Sequence, residues 1–231
     1  SGRVELTADV VDASVVASRW DAELIELDDD AYLDAWRAFA APMRAGRRLV
    51  LQPTWIQAEP SPDPHDVVVR LDPGRSFGSG SHPSTRLALA ALEEHLQPHE
   101  RVLDVGCGSG VLAVAACLLG ASSATGVDVD PEAVSMTHAN ADVNGVAACV
   151  RASTTPVEEV VGTFDVVLAN IGAGVLRELA PVLAARLAPG GRLVLAGLLV
   201  EQVDAVLDAY PGCTEVGRAR ADGWVATVLR R

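Results

Sequence analysis

Lysine is absent from this chain of 231 residues; all 18 basic residues are arginine. That excludes a phosphate-binding P-loop, whose Gly-Lys-Ser/Thr needs the lysine ammonium. Aromatic residues are scarce at 4%, so the core has to be built from Ala, Val and Leu. No uncharged apolar run approaches the ~18 residues of a membrane-spanning helix. The segment Ser1-Gly2-Arg3-Val4-Glu5 lacks the basic and apolar regions of a signal peptide. No membrane association is expected. The four cysteines, Cys107, Cys117, Cys149 and Cys213, show neither CxxC spacing nor paired histidines. No metal site and no structural disulfide are expected, and a reducing cytoplasm is the expected location. Basic charge is outnumbered, with 31 acidic residues and a net charge of −13. A direct nucleic-acid partner needs a basic footprint, so none is expected. The same charge suits a basic protein substrate drawn in by long-range attraction. Solubility is its plainer reading.

Against these absences stands one dense motif. Val102-Leu103-Asp104-Val105 reads as a buried strand, and Gly106-Cys107-Gly108-Ser109-Gly110 as a sharp turn. An apolar helix follows from Val111 to Leu119, ended by Gly120. A second strand from Ala124 to Val127 ends at Asp128, where a carboxylate can accept from both hydroxyls of a ribose. A nicotinamide fingerprint needs G-x-G-x-x-G/A. Here the spacing is G-x-G-x-G, and Val111 stands where the third glycine should be. The details favour S-adenosylmethionine, with S-adenosylhomocysteine as product. Gly106, Gly108 and Asp128 are candidate contacts. Asp104 is a candidate to orient the cofactor's amino-acid end, or to cap the turn.

The remaining chain alternates. Strands are expected at Asp66–Leu71, 101–105, 124–128, Ala148–Arg151, Phe164–Ala169 and Arg192–Ala196. Helices are expected at Thr85–Leu96, 110–119, 131–144, Val175–Leu187 and about Val200–Tyr210. Two last strands, near 214–220 and 224–230, are joined by the hairpin signal Asp222-Gly223. Repeated strand-helix units imply an α/β fold with a doubly wound, mostly parallel seven-stranded sheet. The terminal hairpin adds one antiparallel strand. Residues 1–60 are less legible: a strand from Val4 to Val11, a helix from Asp30 to Met43 and a strand from Arg48 to Gln52. They are read as a small N-terminal unit and linker, a candidate substrate-recognition remnant, followed by the main domain at 61–231.

Two further loops are candidates for the site: one follows Ala169 at the carboxyl ends of the strands, where ligands of such sheets bind, and one lies before the first core strand, where it can fold over the cofactor. Asn170-Ile171-Gly172-Ala173-Gly174 follows a strand. The Asn170 amide oxygen can accept from a substrate amine and orient its lone pair; helix capping is the plainer role. The segment Ser76 to Thr85 holds Phe77 and Gly78, placed to contact a cofactor, and Thr85 at a helix start. His82 is a candidate base or a structural residue.

At these residues the chain resembles the bacterial methyltransferases of large-subunit ribosomal protein eleven. The resemblance rests on Asp72-Pro73-Gly74-x-x-Phe77-Gly78-x-Gly80-x-His82-Pro83-x-Thr85, Asp104-x-Gly106-Cys107-Gly108-Ser109-Gly110, Asp128-x-Asp130-Pro131 and Ala169-Asn170-Ile171-x-Ala173-Gly174. It covers about residues 40–231. It implies a Rossmann-like class I methyltransferase fold and methyl transfer from S-adenosylmethionine to lysine ε-amines and an α-amine. It also implies cofactor contacts at Thr85, Gly106, Asp128 and Asn170, with Asn170 catalytic. Family members usually carry a longer N-terminal domain for the ribosomal protein. The related lysine methyltransferases of the electron-transfer flavoprotein β subunit have a similar core without it. Methylation of another protein, of a small molecule or of a nucleic-acid amine stays open. So does a non-catalytic cofactor-binding module, while a nicotinamide enzyme fits the spacing worst. The oligomeric state is not legible.

Overall fold

In a computed structural model of the chain, the described residues are 41–57, 63–72 and 80–231. The expected strand at Val4–Val11 and most of the helix expected from Asp30 lie outside them, as do Phe77 and Gly78. The chain divides into Ser1–Ala40 and Ala41–Arg231; the second unit is the one described.

Two sheets organise it. The smaller holds β1 (Met43–Arg44), β2 (Leu49–Pro53) and β3 (Val67–Leu71) in that order. Met43, expected to end a helix, instead pairs antiparallel with Leu51 in this sheet. β2 and β3 run parallel, Leu51 opposite Val69. This pairing joins residues on both sides of position 60 into one sheet.

The larger sheet holds β4 (Arg101–Val105), β5 (Ser123–Val127), β6 (Val150–Ser153), β7 (Phe164–Asn170), β8 (Leu187–Leu199), β9 (Thr214–Ala221) and β10 (Trp224–Arg230). Its order is β6-β5-β4-β7-β8-β10-β9. β10 is antiparallel to both neighbours, and the pairs from β6 to β8 are parallel. The doubly wound seven-stranded sheet and its terminal hairpin are therefore as expected. Order reverses between β4 and β7, which puts the switch point at the turn after β4 and the loop after β7.

Helices α1 (Pro83–His95), α2 (Val111–Leu118) and α3 (Pro131–Val143) follow the periodicity closely. The single helix expected at Val175–Leu187 is two: α4 (Ala173–Glu178) and α5 (Ala180–Arg186). Pro181 falls in the first turn of α5, where its missing N–H costs nothing; inside one long helix it would break a hydrogen bond. A 3-10 turn (Val200–Gln202) and α6 (Val203–Leu207) replace the helix expected to reach Tyr210. β8 starts ahead of the expected Arg192 and runs through Pro189-Gly190-Gly191, with a register shift against β7 between Phe164 and Val166.

Apolar residues alternate between two cores, one on each face. Val102, Val166, Leu168 and Val194 join a cluster with Leu89 and Leu92 of α1 and Val114 of α2. Leu103, Val105, Val167 and Leu195 join Leu176, Leu183 and Val206 on the other. This two-sided burial explains the continuous apolar strands.

The expected absence of a disulfide also fails. Cys117 and Cys149 form a disulfide, with a Cα–Cα distance of 6.2 Å. Their separation of 32 residues carries no signal in the sequence; the end of α2 and the start of β6 bring them together. No helix among the described residues is long and apolar enough to cross a membrane.

Candidate functional site

The glycine turn is held from both sides. The N–H groups of Gly106 and Cys107 donate to the Val127 carbonyl at 2.8 and 3.1 Å, tying the turn to the end of β5. Gly106 has φ +72°, and a Cβ there would lie 2.5 Å from Ile171 Cγ2. Gly110, the N-cap of α2 with φ +76°, meets Thr137 as closely. Side chains are excluded at both places, so the turn packs as bare backbone against Ile171 and Thr137 beyond the carboxyl end of β4.

Asp128 sits just past β5, beside this turn. Its Oδ2 accepts from Gly108 N at 2.9 Å and its Oδ1 from Asp130 N at 3.1 Å. The carboxylate and the turn are thus one rigid unit. Val129 follows with 97% of its surface exposed. Its apolar side chain thus stands bare next to the acid. The reading of the sequence missed it, although the alternation Gly126-Val127-Asp128-Val129 carries the signal.

Asp104 is completely buried within β4. Its Oδ2 accepts from Ala113 N at 3.1 Å, in the first turn of α2, so it caps that helix from below. Its Oδ1 is buried with no hydrogen-bond partner among the described residues. Burial pushes the carboxyl up to about 7, the Asp128 charge adding to the rise against the Ala113 hydrogen bond. The Ala113 hydrogen bond is the capping contact. Burial likewise pushes the Cys107 thiol up to about 12, with the Asp104 charge adding to it. The thiol form of Cys107 is thereby favoured over the thiolate.

Asn170 ends β7 and Thr85 lies in the first turn of α1, 85 residues apart in sequence, and the fold brings them together. Asn170 Nδ2 donates to Thr85 Oγ1 at 3.3 Å. Thr85 is fully buried. Asn170 Oδ1 is buried with no partner among the described residues. One end of the amide is thus held and the other is an open acceptor.

His82 is spent on structure. Its Nδ1 accepts from Ser84 N at 3.3 Å and lies 2.8 Å from Ser84 Oγ, capping α1. Its ring meets Trp224 edge-on at 4.5 Å. Burial, then the nearby Arg86 charge, lowers its pKa. Nδ1 is committed to the cap, so that nitrogen is not a free base. Trp224 was not singled out from the sequence; it starts β10 opposite Leu199, at the same end of the sheet as Asn170.

Gly106, Gly108, Asp104, Asp128, Thr85 and Asn170 thus gather at the switch point; Phe77 and Gly78 lie outside the described residues. The family model described as Ribosomal protein L11 methyltransferase (PrmA) matches residues 3–231. The ribosomal protein L11 methyltransferase of Geobacter metallireducens is 47% identical over 201 residues, 86% of this chain and 65% of that protein. That of Pelobacter propionicus is 45% identical over 213 residues, 89% of this chain and 68% of that protein. The chain therefore spans about two thirds of the length of the curated relatives it matches. A crystal structure of ribosomal protein L11 methylase from Lactobacillus delbrueckii subsp. bulgaricus superposes with a TM-score of 0.76 at 30% identity, covering 84% of this chain and 98% of that one. The chain belongs to the ribosomal protein L11 methyltransferase family.

Proposed function

We propose that this chain is an S-adenosylmethionine-dependent N-methyltransferase whose acceptor is an amine of large-subunit ribosomal protein L11. The observation that carries the reading is the buried Oδ1 of Asn170 at the carboxyl end of β7, which has no hydrogen-bond partner among the described residues. A buried acceptor without a donor costs free energy, so it fits a site completed by a substrate N–H.

The residues also fit the cofactor. Gly106 leaves backbone bare where a Cβ would collide with Ile171. Asp128 offers a fixed carboxylate for two hydroxyls, and Val129 a bare apolar surface for a base. Bound there, S-adenosylmethionine supplies an electrophilic methyl group on a sulfonium. The protein's work is alignment of the acceptor, which can supply several kcal/mol. A lysine ammonium has a pKa of about 10.4 in water and must lose a proton before its lone pair can attack. Desolvation in the cleft favours the neutral amine. Asn170 Oδ1 then accepts from one amine N–H and aims the lone pair, and Thr85 Oγ1 holds the amide by accepting from Nδ2. No base from His82 Nδ1 enters this scheme, because that lone pair caps α1. The proton leaves to water.

A basic ribosomal protein also matches the net charge of −13. Its methylation would take place in the cytoplasm. The test is incubation of the chain with methyl-labelled S-adenosylmethionine and purified L11, beside a cell lysate. Label in L11 is expected. Label confined to another protein or to small molecules would overturn the substrate; cofactor binding without label in any fraction would overturn the activity.

A further inference from the structure

α3 braces the glycine turn through two buried side chains, Thr137 and Asn140. Asn140 is 1% exposed, and its amide joins two segments far apart in sequence. Nδ2 donates to the carbonyl of Asp72 at 2.8 Å and to that of Ser109 at 2.9 Å. Oδ1 accepts from Asp72 N at 3.0 Å. One side chain thus grips the backbone of Asp72 with two hydrogen bonds and the glycine turn with a third. One turn earlier, Thr137 donates to the Gly108 carbonyl at 3.1 Å. Thr137 and Asn140 therefore hold two successive carbonyls of the turn. A planar peptide fixes the following N–H once its carbonyl is fixed.

Asn144, one turn later, supplies an internal comparison. Its Oδ1 accepts from Arg70 N at 2.8 Å, and its Nδ2 donates to the carbonyls of Arg70 and of Asn140. Both asparagines continue the open edge of β3 as a neighbouring strand would, at alternate residues Arg70 and Asp72. Only Asn140 also reaches the turn. Asp72 is the last described residue before the Pro73–Ser79 segment, which carries the expected Phe77 and Gly78 contacts.

We propose that Asn140 is a positioning residue for the cofactor: it locks the glycine turn to Asp72, so cofactor affinity depends on a side chain that does not touch the cofactor. The proposal rests on the S-adenosylmethionine reading. A purely structural role would affect Asn140 and Asn144 alike, since each makes two hydrogen bonds to the β3 edge. A positioning role would separate them.

The experiment measures S-adenosylhomocysteine binding by calorimetry and ligand-free thermal unfolding, for the unaltered chain, Asn140→Ala and Asn144→Ala. Both substitutions are expected to lower the melting temperature. Only Asn140→Ala is expected to weaken binding, by roughly tenfold or more, about the effect of one buried hydrogen bond. Its KM for S-adenosylmethionine should rise in step, while the KM for the acceptor stays put in Asn144→Ala. Equal affinities in the two variants would overturn the proposal. Should Asn140→Ala not fold, the near-isosteric Thr137→Val asks the same question of the Gly108 carbonyl. Weaker binding there supports the proposal and unchanged binding overturns it. Failure of the unaltered chain to bind S-adenosylhomocysteine would instead remove the underlying reading.

Discussion

At the scale of single residues, the site is a matter of which polar atoms are held and which are left open. Asn170 has one end on Thr85 and the other end open. Replacing Asn170 by Ala removes the acceptor proposed for the amine and leaves the glycine turn in place. Turnover should fall on the order of a hundredfold, as for loss of one preorganised hydrogen-bond partner, with cofactor affinity nearly unchanged. Thr85→Val, of the same shape, frees the amide to rotate and should cost roughly tenfold or more, while Thr85→Ser keeps most of the rate. Steady-state kinetics against L11, with cofactor binding measured separately, checks both. Near-normal turnover in Asn170→Ala would end its catalytic assignment.

Asp104 makes a prediction of a different kind. Its carboxyl has an ordinary value of 3.8 and is raised to about 7 in the folded chain. Between those values the unfolded chain has lost the proton and the folded chain keeps it. Folding then binds protons, so stability falls as pH rises from about 4 to 7, by up to roughly 1.4 kcal/mol per pH unit, and levels off above. Asp104→Asn should flatten this dependence in denaturant unfolding followed over that range. An unchanged slope in the variant would show that another group sets it.

At the scale of elements, α1 is the strut between the two sheets. Its first turn supplies the His82 cap and Thr85, and its last turn supplies Glu93. The Glu93 carboxylate is buried and accepts from Arg47 N at 2.7 Å, Arg48 N at 3.0 Å and Arg48 Nε at 3.0 Å. It therefore closes the turn between β1 and β2. Glu93→Ala leaves two backbone N–H groups without their acceptor and should cost about 2–3 kcal/mol. Urea unfolding monitored by tryptophan fluorescence would register this as a lower midpoint. A loss under ~0.5 kcal/mol, the usual effect of surface changes, would show that water replaces the carboxylate. α1 thus couples the small sheet to the Thr85–Asn170 pair, because the same helix is anchored at both ends.

At the scale of the whole molecule, the Cys117–Cys149 bond closes a loop that contains β5, Asp128, α3 and Asn140. A cross-link spanning 32 residues limits the unfolded chain and is worth about 3–4 kcal/mol in the loop-entropy account. Reduction by dithiothreitol should lower the melting temperature by roughly 10 °C. Cys117→Ser should melt at that lower temperature with or without reductant. In a reducing compartment the chain would work in the less stable dithiol form. An unaltered chain indifferent to dithiothreitol would show that the bond does not contribute.

The sequence alone determined the parallel sheet, the glycine turn, Asp128 at its strand end and Asn170 at the end of β7, because each is a local pattern of apolar run, turn residue and polar terminus. It also marked Thr85, as a hydroxyl at a helix start closing the glycine-rich Ser76–Thr85 loop. Only the tertiary structure decided the rest. Helix capping absorbed Asp104 and His82, and the partners that did so, Ala113 and Ser84, offer backbone groups that no side-chain pattern announces. Pro181 divided one expected helix because a proline's effect depends on where the helix starts. The disulfide, the Thr85–Asn170 contact and the Asn140 grip all join segments brought together by the sheet order, and such long-range contacts leave no periodicity in the chain.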